Sequence, residues 1–191
     1  MDNSRRRVGG RATVMAMSPS RRSVALVIAV LLTASAAACT PTPEPTPTPT
    51  GFASEDEAFA AAEATYRAYI DALNARNAGD KDADPKIFTT GEALEAETSS
   101  EKNMTSRGLH IAGKTSLVDF QPQEYRVTND GPEVLAEACL DASESTVVNE
   151  QNEDVTPDDF EPVYVLAVGF TSVNNAFMIS ETSLARQGDC R

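Results

Sequence analysis

Eleven residues decide where this chain is able to fold. Thr40-Pro-Thr-Pro-Glu-Pro-Thr-Pro-Thr-Pro-Thr50 alternates proline with threonine. Proline fixes φ and lacks a backbone N–H, so such a run makes neither a helix nor a central strand. It predicts an extended polyproline-II stalk, about 30 Å long at ~3.1 Å per residue. Its threonine hydroxyls offer attachment points for sugar, although a bare spacer is the plainer reading.

The two sides of the stalk differ in charge. The chain has 191 residues, with 16 basic and 29 acidic side chains. Six of the arginines and only one acid, Asp2, fall in residues 1–38; the remainder holds 10 basic and 28 acidic residues, a net charge of −18. That balance excludes the usual nucleic-acid binder, which displaces counterions from phosphates with basic groups. A hydrophobic fraction of 41% is enough for a core and excludes a wholly disordered chain.

Residues 1–38 have the layout of a secretory signal peptide. Arg21 and Arg22 precede the apolar run Val24–Leu32, and Thr33–Ala38 is rich in small residues. Nine strongly apolar residues are too few to span a bilayer without help from the alanines, and a retained transmembrane anchor is the alternative reading. Met15 or Met17 gives a more compact start than Met1.

Ala36-Ala37-Ala38-Cys39 resembles the lipobox of bacterial lipoproteins, with Ala36 where leucine is usual. The resemblance implies that Cys39 receives a diacylglyceryl group and becomes the mature N-terminus. Two acyl chains suffice for stable anchoring, so the expected location is the extracytoplasmic face of the cell membrane. The chain has three cysteines, and an acylated Cys39 leaves Cys139 and Cys190 to pair. A domain of this charge is repelled by anionic lipid, which suits a stand-off anchor better than surface adsorption.

Residues 52–191 read as one α+β domain. Ser54-Glu-Asp-Glu57 is a capping box. Phe59, Ala62, Tyr66, Tyr69, Ile70 and Leu73 recur at helical spacing, Glu63 and Arg67 form an i,i+4 pair, and Gly79 stops the helix. Asp84-Pro85 starts a second helical turn. Thr89-Thr-Gly-Glu92 reads as another capping box, opening a weaker helix to about Met104. Strands follow at Leu109–Phe120, Gln123–Thr128, Val134–Asp141, Thr146–Val148, Val163–Phe170 and Ala176–Ala185. Tyr164, Leu166, Val168 and Phe170 share one face by the period of two. Asn174-Asn175 suits a two-residue hairpin turn. Helices first and an antiparallel sheet afterwards give α+β.

This order, with Tyr66-Arg-Ala-Tyr69-Ile-Asp-Ala-Leu73 on the first helix, resembles the NTF2-like (SnoaL-like, cystatin-like cone) superfamily. Together with Cys39 and the Pro/Thr run, it is similar to actinobacterial envelope lipoproteins of that fold. The Ala138-Cys139-Leu-Asp141 strand and Cys190 resemble that group's paired cysteines, and Phe177 stands where such domains often place a tryptophan. The resemblance implies a long N-terminal helix packed on a curved antiparallel sheet, with a cavity at the open end. It implies no single function, because this superfold hosts isomerases, cyclases, transport factors and adaptors.

The chemistry-bearing residues are sparse. His110 is the only histidine, without the partners of a zinc site or a nucleophile triad. Tyr66, Tyr69 and Asp119 are candidates to line a cavity, as are Asp71 and Asp141, because enzymes of the resembled superfamily use a carboxylate there, sometimes beside a tyrosine. Asp119, between Val118 and Phe120, faces solvent by simple alternation. The loop Glu150–Glu161 carries six acids but lacks the EF-hand order, which leaves a solvated loop and no assigned metal. Gly-rich phosphate loops and a G-x-S-x-G elbow are absent from the sequence. No cofactor is expected. The expectation is a tethered, non-catalytic binding or adaptor module for a small apolar ligand or an envelope protein. The alternatives are a small isomerase or cyclase and a structural homodimer joined through the sheet.

Overall fold

The computed structural model describes residues 51–188 and 190, which belong to a compact unit spanning Pro45–Arg191. The expected signal segment 1–38, the lipidation site Cys39 and the stalk to Thr50 lie outside the described residues. The domain is α+β, with two α-helices and a short 3-10 turn followed by four antiparallel strands in the order β1-β2-β3-β4.

Helix α1 spans Glu55–Asn77. The Ser54 side chain accepts from the Glu57 N–H at 3.1 Å, and the Glu57 carboxylate accepts from the Ala53 N–H at 2.7 Å. Three acids in the first turn face the positive end of the helix. At the other end Gly79, at φ +94°, donates to Arg76 O while Asp80 donates to Ala75 O. That pair of bonds satisfies the last carbonyls of the helix. Ala58, Ala62, Tyr66 and Ile70 are buried, with Phe59, Tyr69 and Leu73 packed beside them. Arg67 and Glu63 pair at 2.7 Å on the exposed side.

The 3-10 turn Pro85–Phe88 is capped by the Asp84 carboxylate. Helix α2 spans Gly91–Ser106, but the expected capping box at Thr89–Glu92 does not form. Thr90 is the N-cap and its side chain makes no capping bond. Thr89 is buried and its hydroxyl donates backward to Lys86 O. Thr90 N–H instead bonds Ile179 O at 2.8 Å, so tertiary pairing takes the place of the local cap.

The six expected strands merge into four: β1 Leu109–Thr128, β2 Gly131–Asn149, β3 Val163–Val173 and β4 Ala176–Gln187. The apparent breaks are irregularities within continuous strands. β1 shifts register against β2 between Lys114 and Ser116, Leu117 and Asp119, and Pro122 and Glu124. Pro122 is tolerated because β1 is an edge strand, where a missing N–H costs no ladder bond if it faces outward. Gly113 sits at φ +89°, and a Cβ there would collide with the Glu144 carbonyl, so the strand bends where only glycine fits. Asn174 and Asn175 hold φ of 52° and 65° in the β3–β4 turn.

Helix α1 touches both edge strands and β2, so the sheet bends over it. Val134, Ala136, Ala138 and Leu140 face the helix, as do Val168 and Phe170. Tyr66, Phe120, Phe170 and Phe177 form an aromatic centre with ring centroids 6.0–6.3 Å apart along the chain of contacts. The outer face carries Gln121, Glu124, Glu133, Glu137 and Glu181, largely polar, by the pairing register. On that face Cys139, which pairs with Val165 in the ladder, forms a disulfide with Cys190, Cα atoms 5.5 Å apart, that ties Cys190 to β2.

Candidate functional site

One end of the domain is open. The last two turns of α1, the second half of α2 and the first residues of β1 diverge around a cleft of about 600 Å³. Ligand-binding clefts commonly have volumes of about 300–1,000 Å³. Leu73, Met104, Leu109 and Ile111 give it apolar walls, while Tyr69, Arg76, Glu97 and His110 supply polar groups.

Tyr69, Arg76 and Glu97 satisfy one another, whereas Asn77, also on the lining, keeps its Nδ2 buried without a partner. Arg76 Nη2 lies 2.9 Å from Glu97 Oε1, and the Tyr69 hydroxyl donates to Glu97 Oε2 at 3.0 Å. Both Glu97 oxygens are therefore engaged, and the charge of the cluster sums to zero. Burial, reinforced by the Glu97 charge and hydrogen bond, pushes the Tyr69 phenol well above its ordinary range, so it stays a neutral donor. At the rim Lys86 pairs with Glu101, whose hydrogen bond holds the ammonium above its usual range.

The candidate residues named from the sequence separate in space. Tyr69 lines the cleft. Tyr66, one turn earlier, is 1% exposed inside the aromatic centre, and burial pushes its phenol upward. Asp119 pairs with Cys139 in the ladder, on the outer face, and accepts from the Gln121 amide at 2.6 Å. Asp71, on the exposed side of α1, and Asp141 lie outside the cleft, whereas the exposed His110 is on its wall. Sequence reasoning passed over Arg76 and Glu97. The available signal was an acid on the inward stripe of α2, where Ala93, Glu97 and Met104 recur at helical spacing.

The loop Glu150–Glu161 is held by local side-chain-to-backbone bonds, the Asp154 carboxylate among them accepting from the Thr156 N–H at 2.9 Å. The Asn149 side chain accepts from the Gln151 and Glu153 N–H groups at 2.9 Å. Among the described residues no group of three or more His, Cys, Asp or Glu side chains is placed to hold a metal ion. No helix among them is long and apolar enough to cross a membrane.

The cleft and the first described residues, Gly51 and Phe52, lie at opposite ends of α1. Phe52 stacks on Phe177 with ring centroids 4.5 Å apart, and Gly51 lies beside Pro132, so the chain enters at the N-terminal end of the helix. Twenty-three residues of helix separate that entry from Asn77, roughly 33 Å at ~1.5 Å per residue.

No family model matches the chain, and no curated protein matches it. Among solved structures it is similar to the intermembrane space region of the chloroplast protein ARC6, with 16% sequence identity over 64% of this chain and 92% of that one, at a TM-score of 0.46. So distant a likeness carries no argument about fold family or function.

Proposed function

We propose that this protein is an extracytoplasmic lipoprotein whose NTF2-like cone is a non-catalytic binding module, with the cleft between α1, α2 and β1 as its binding site. The observation that carries this reading is the cleft itself: apolar walls around a polar cluster whose members already satisfy one another. A general base needs an accessible lone pair aimed at substrate. Glu97 has one oxygen on Arg76 and the other under Tyr69, which favours binding over the isomerase or cyclase alternative. The largely polar outer sheet face gives a homodimer little apolar area to bury, which weighs against the structural role.

The anchor rests on the sequence of residues 21–50. The described chain begins at Gly51 and Phe52, at the end of α1 away from the cleft, which supports a tether that leaves the cleft mouth free. Cys39→Ala tests the anchoring. The variant is expected to move from the membrane fraction to the medium; full membrane retention would overturn the lipid-anchor reading.

A further inference from the structure

We infer that the occupant of this cleft is an uncharged molecule with an apolar body, and that anions are turned away. The inference rests on the binding reading above and adds the ligand's charge class.

Two charge facts lead to it. The mature region carries a net charge of −18, so its long-range field repels anions. Within the cleft the fixed charges are matched: Arg76 against Glu97, and Glu101 against Lys86 at the rim. An anion gains no free cation there, and moving it onto Arg76 would strand Glu97, whose side chain is 15% exposed. A cation finds no free carboxylate in the cluster for the same reason. What the cleft offers without breaking its own bonds is contact with Leu73, Met104, Leu109 and Ile111, hydrogen bonding at exposed Ser100 and His110, and the unpartnered amide N–H of Asn77, an uncharged donor.

The test uses two fluorophores that share one skeleton. N-phenyl-1-naphthylamine is neutral, and 8-anilino-1-naphthalenesulfonate is the same framework with a sulfonate. Both are titrated into residues 40–191 with the disulfide intact, in low salt, alongside Ser100→Trp. Ser100 is exposed on α2 and lines the cleft, so the larger ring fills the space without disturbing the core. The expected result is saturable binding of the neutral dye, at least tenfold weaker binding of the sulfonate, and loss of the neutral dye's binding in Ser100→Trp. Equal affinity for both dyes, with both lost in the variant, would overturn the charge-class inference and leave the binding site standing. No binding of either dye, or neutral-dye binding unchanged in Ser100→Trp, would overturn the cleft as the site and the inference with it.

Discussion

Asn74 holds the open end of the domain together through two hydrogen bonds. From α1 its Nδ2 donates to Thr115 O at 2.8 Å, and its Oδ1 accepts from Thr115 N–H at 2.9 Å. The amide thus completes both backbone valences of a strand residue that is 6% exposed, at the register shift between Lys114 and Ser116 that leaves Thr115 out of the β1–β2 pairing. Asn74→Ala removes two hydrogen bonds of about 1 kcal/mol each and leaves a buried N–H and C=O without partners, each worth a further ~1–3 kcal/mol unless water enters. Partial hydration of the space left behind makes a total of about 2–4 kcal/mol reasonable. For a domain of this size that corresponds to a fall in Tm of about 10 °C. The assay is thermal and urea unfolding of residues 40–191 under oxidising conditions, followed by circular dichroism. The urea midpoint should drop with the slope unchanged. A Tm loss below about 2 °C would refute the claim that this side chain substitutes for the missing strand partner.

Two further predictions concern the same domain. Replacing Cys139 and Cys190 together by serine opens a loop with a sequence separation of 51, and an idealised chain-entropy argument gives about 4 kcal/mol. Chemical denaturation should show most of that loss, and a change under about 1 kcal/mol would mean that the tail is held by its other contacts. In alkali, Tyr66, Tyr69 and Tyr164 have phenols raised above the ordinary value of 10.0, with burial the largest cause in each. Folding holds these protons more tightly than the unfolded chain does, so the stabilisation is complete below pH 10 and declines as pH rises further. Tyrosinate absorbance at these positions should therefore appear together with loss of secondary structure, and free titration of all the tyrosines near pH 10 in a folded domain would contradict their burial.

The elements with strong local signals were legible in the sequence. The Ser54 cap, the stripe on α1, the Gly79 stop, the strand from Val163 and the Asn174-Asn175 turn are local chemistry, and the structure places each accordingly. Strand continuity was not legible. Pro122 and the stretch between Asp141 and Thr146 read as interruptions, yet β1 and β2 run through them with shifts of register and do not stop. The capping box at Thr89 failed for a related reason. Pairing with Ile179, nearly ninety residues away, overrides the local preference. The cleft was the least visible part. Tyr66 and Tyr69 look alike on a helical wheel, but the aromatic centre encloses one and leaves the other beside Glu97. Asp119 needed the register of β1 to place it, and bulges move register by amounts that alternation alone does not reveal.

The central claim is that this domain carries a ligand in the cleft between α1, α2 and β1. The most direct measurement is native mass spectrometry of the domain isolated from the envelope of cells producing it, beside the Ser100→Trp variant prepared identically. The account predicts a defined added mass on the native domain that is lost from the variant. A native domain found only at its bare, disulfide-closed mass, or an adduct retained by Ser100→Trp, would contradict it.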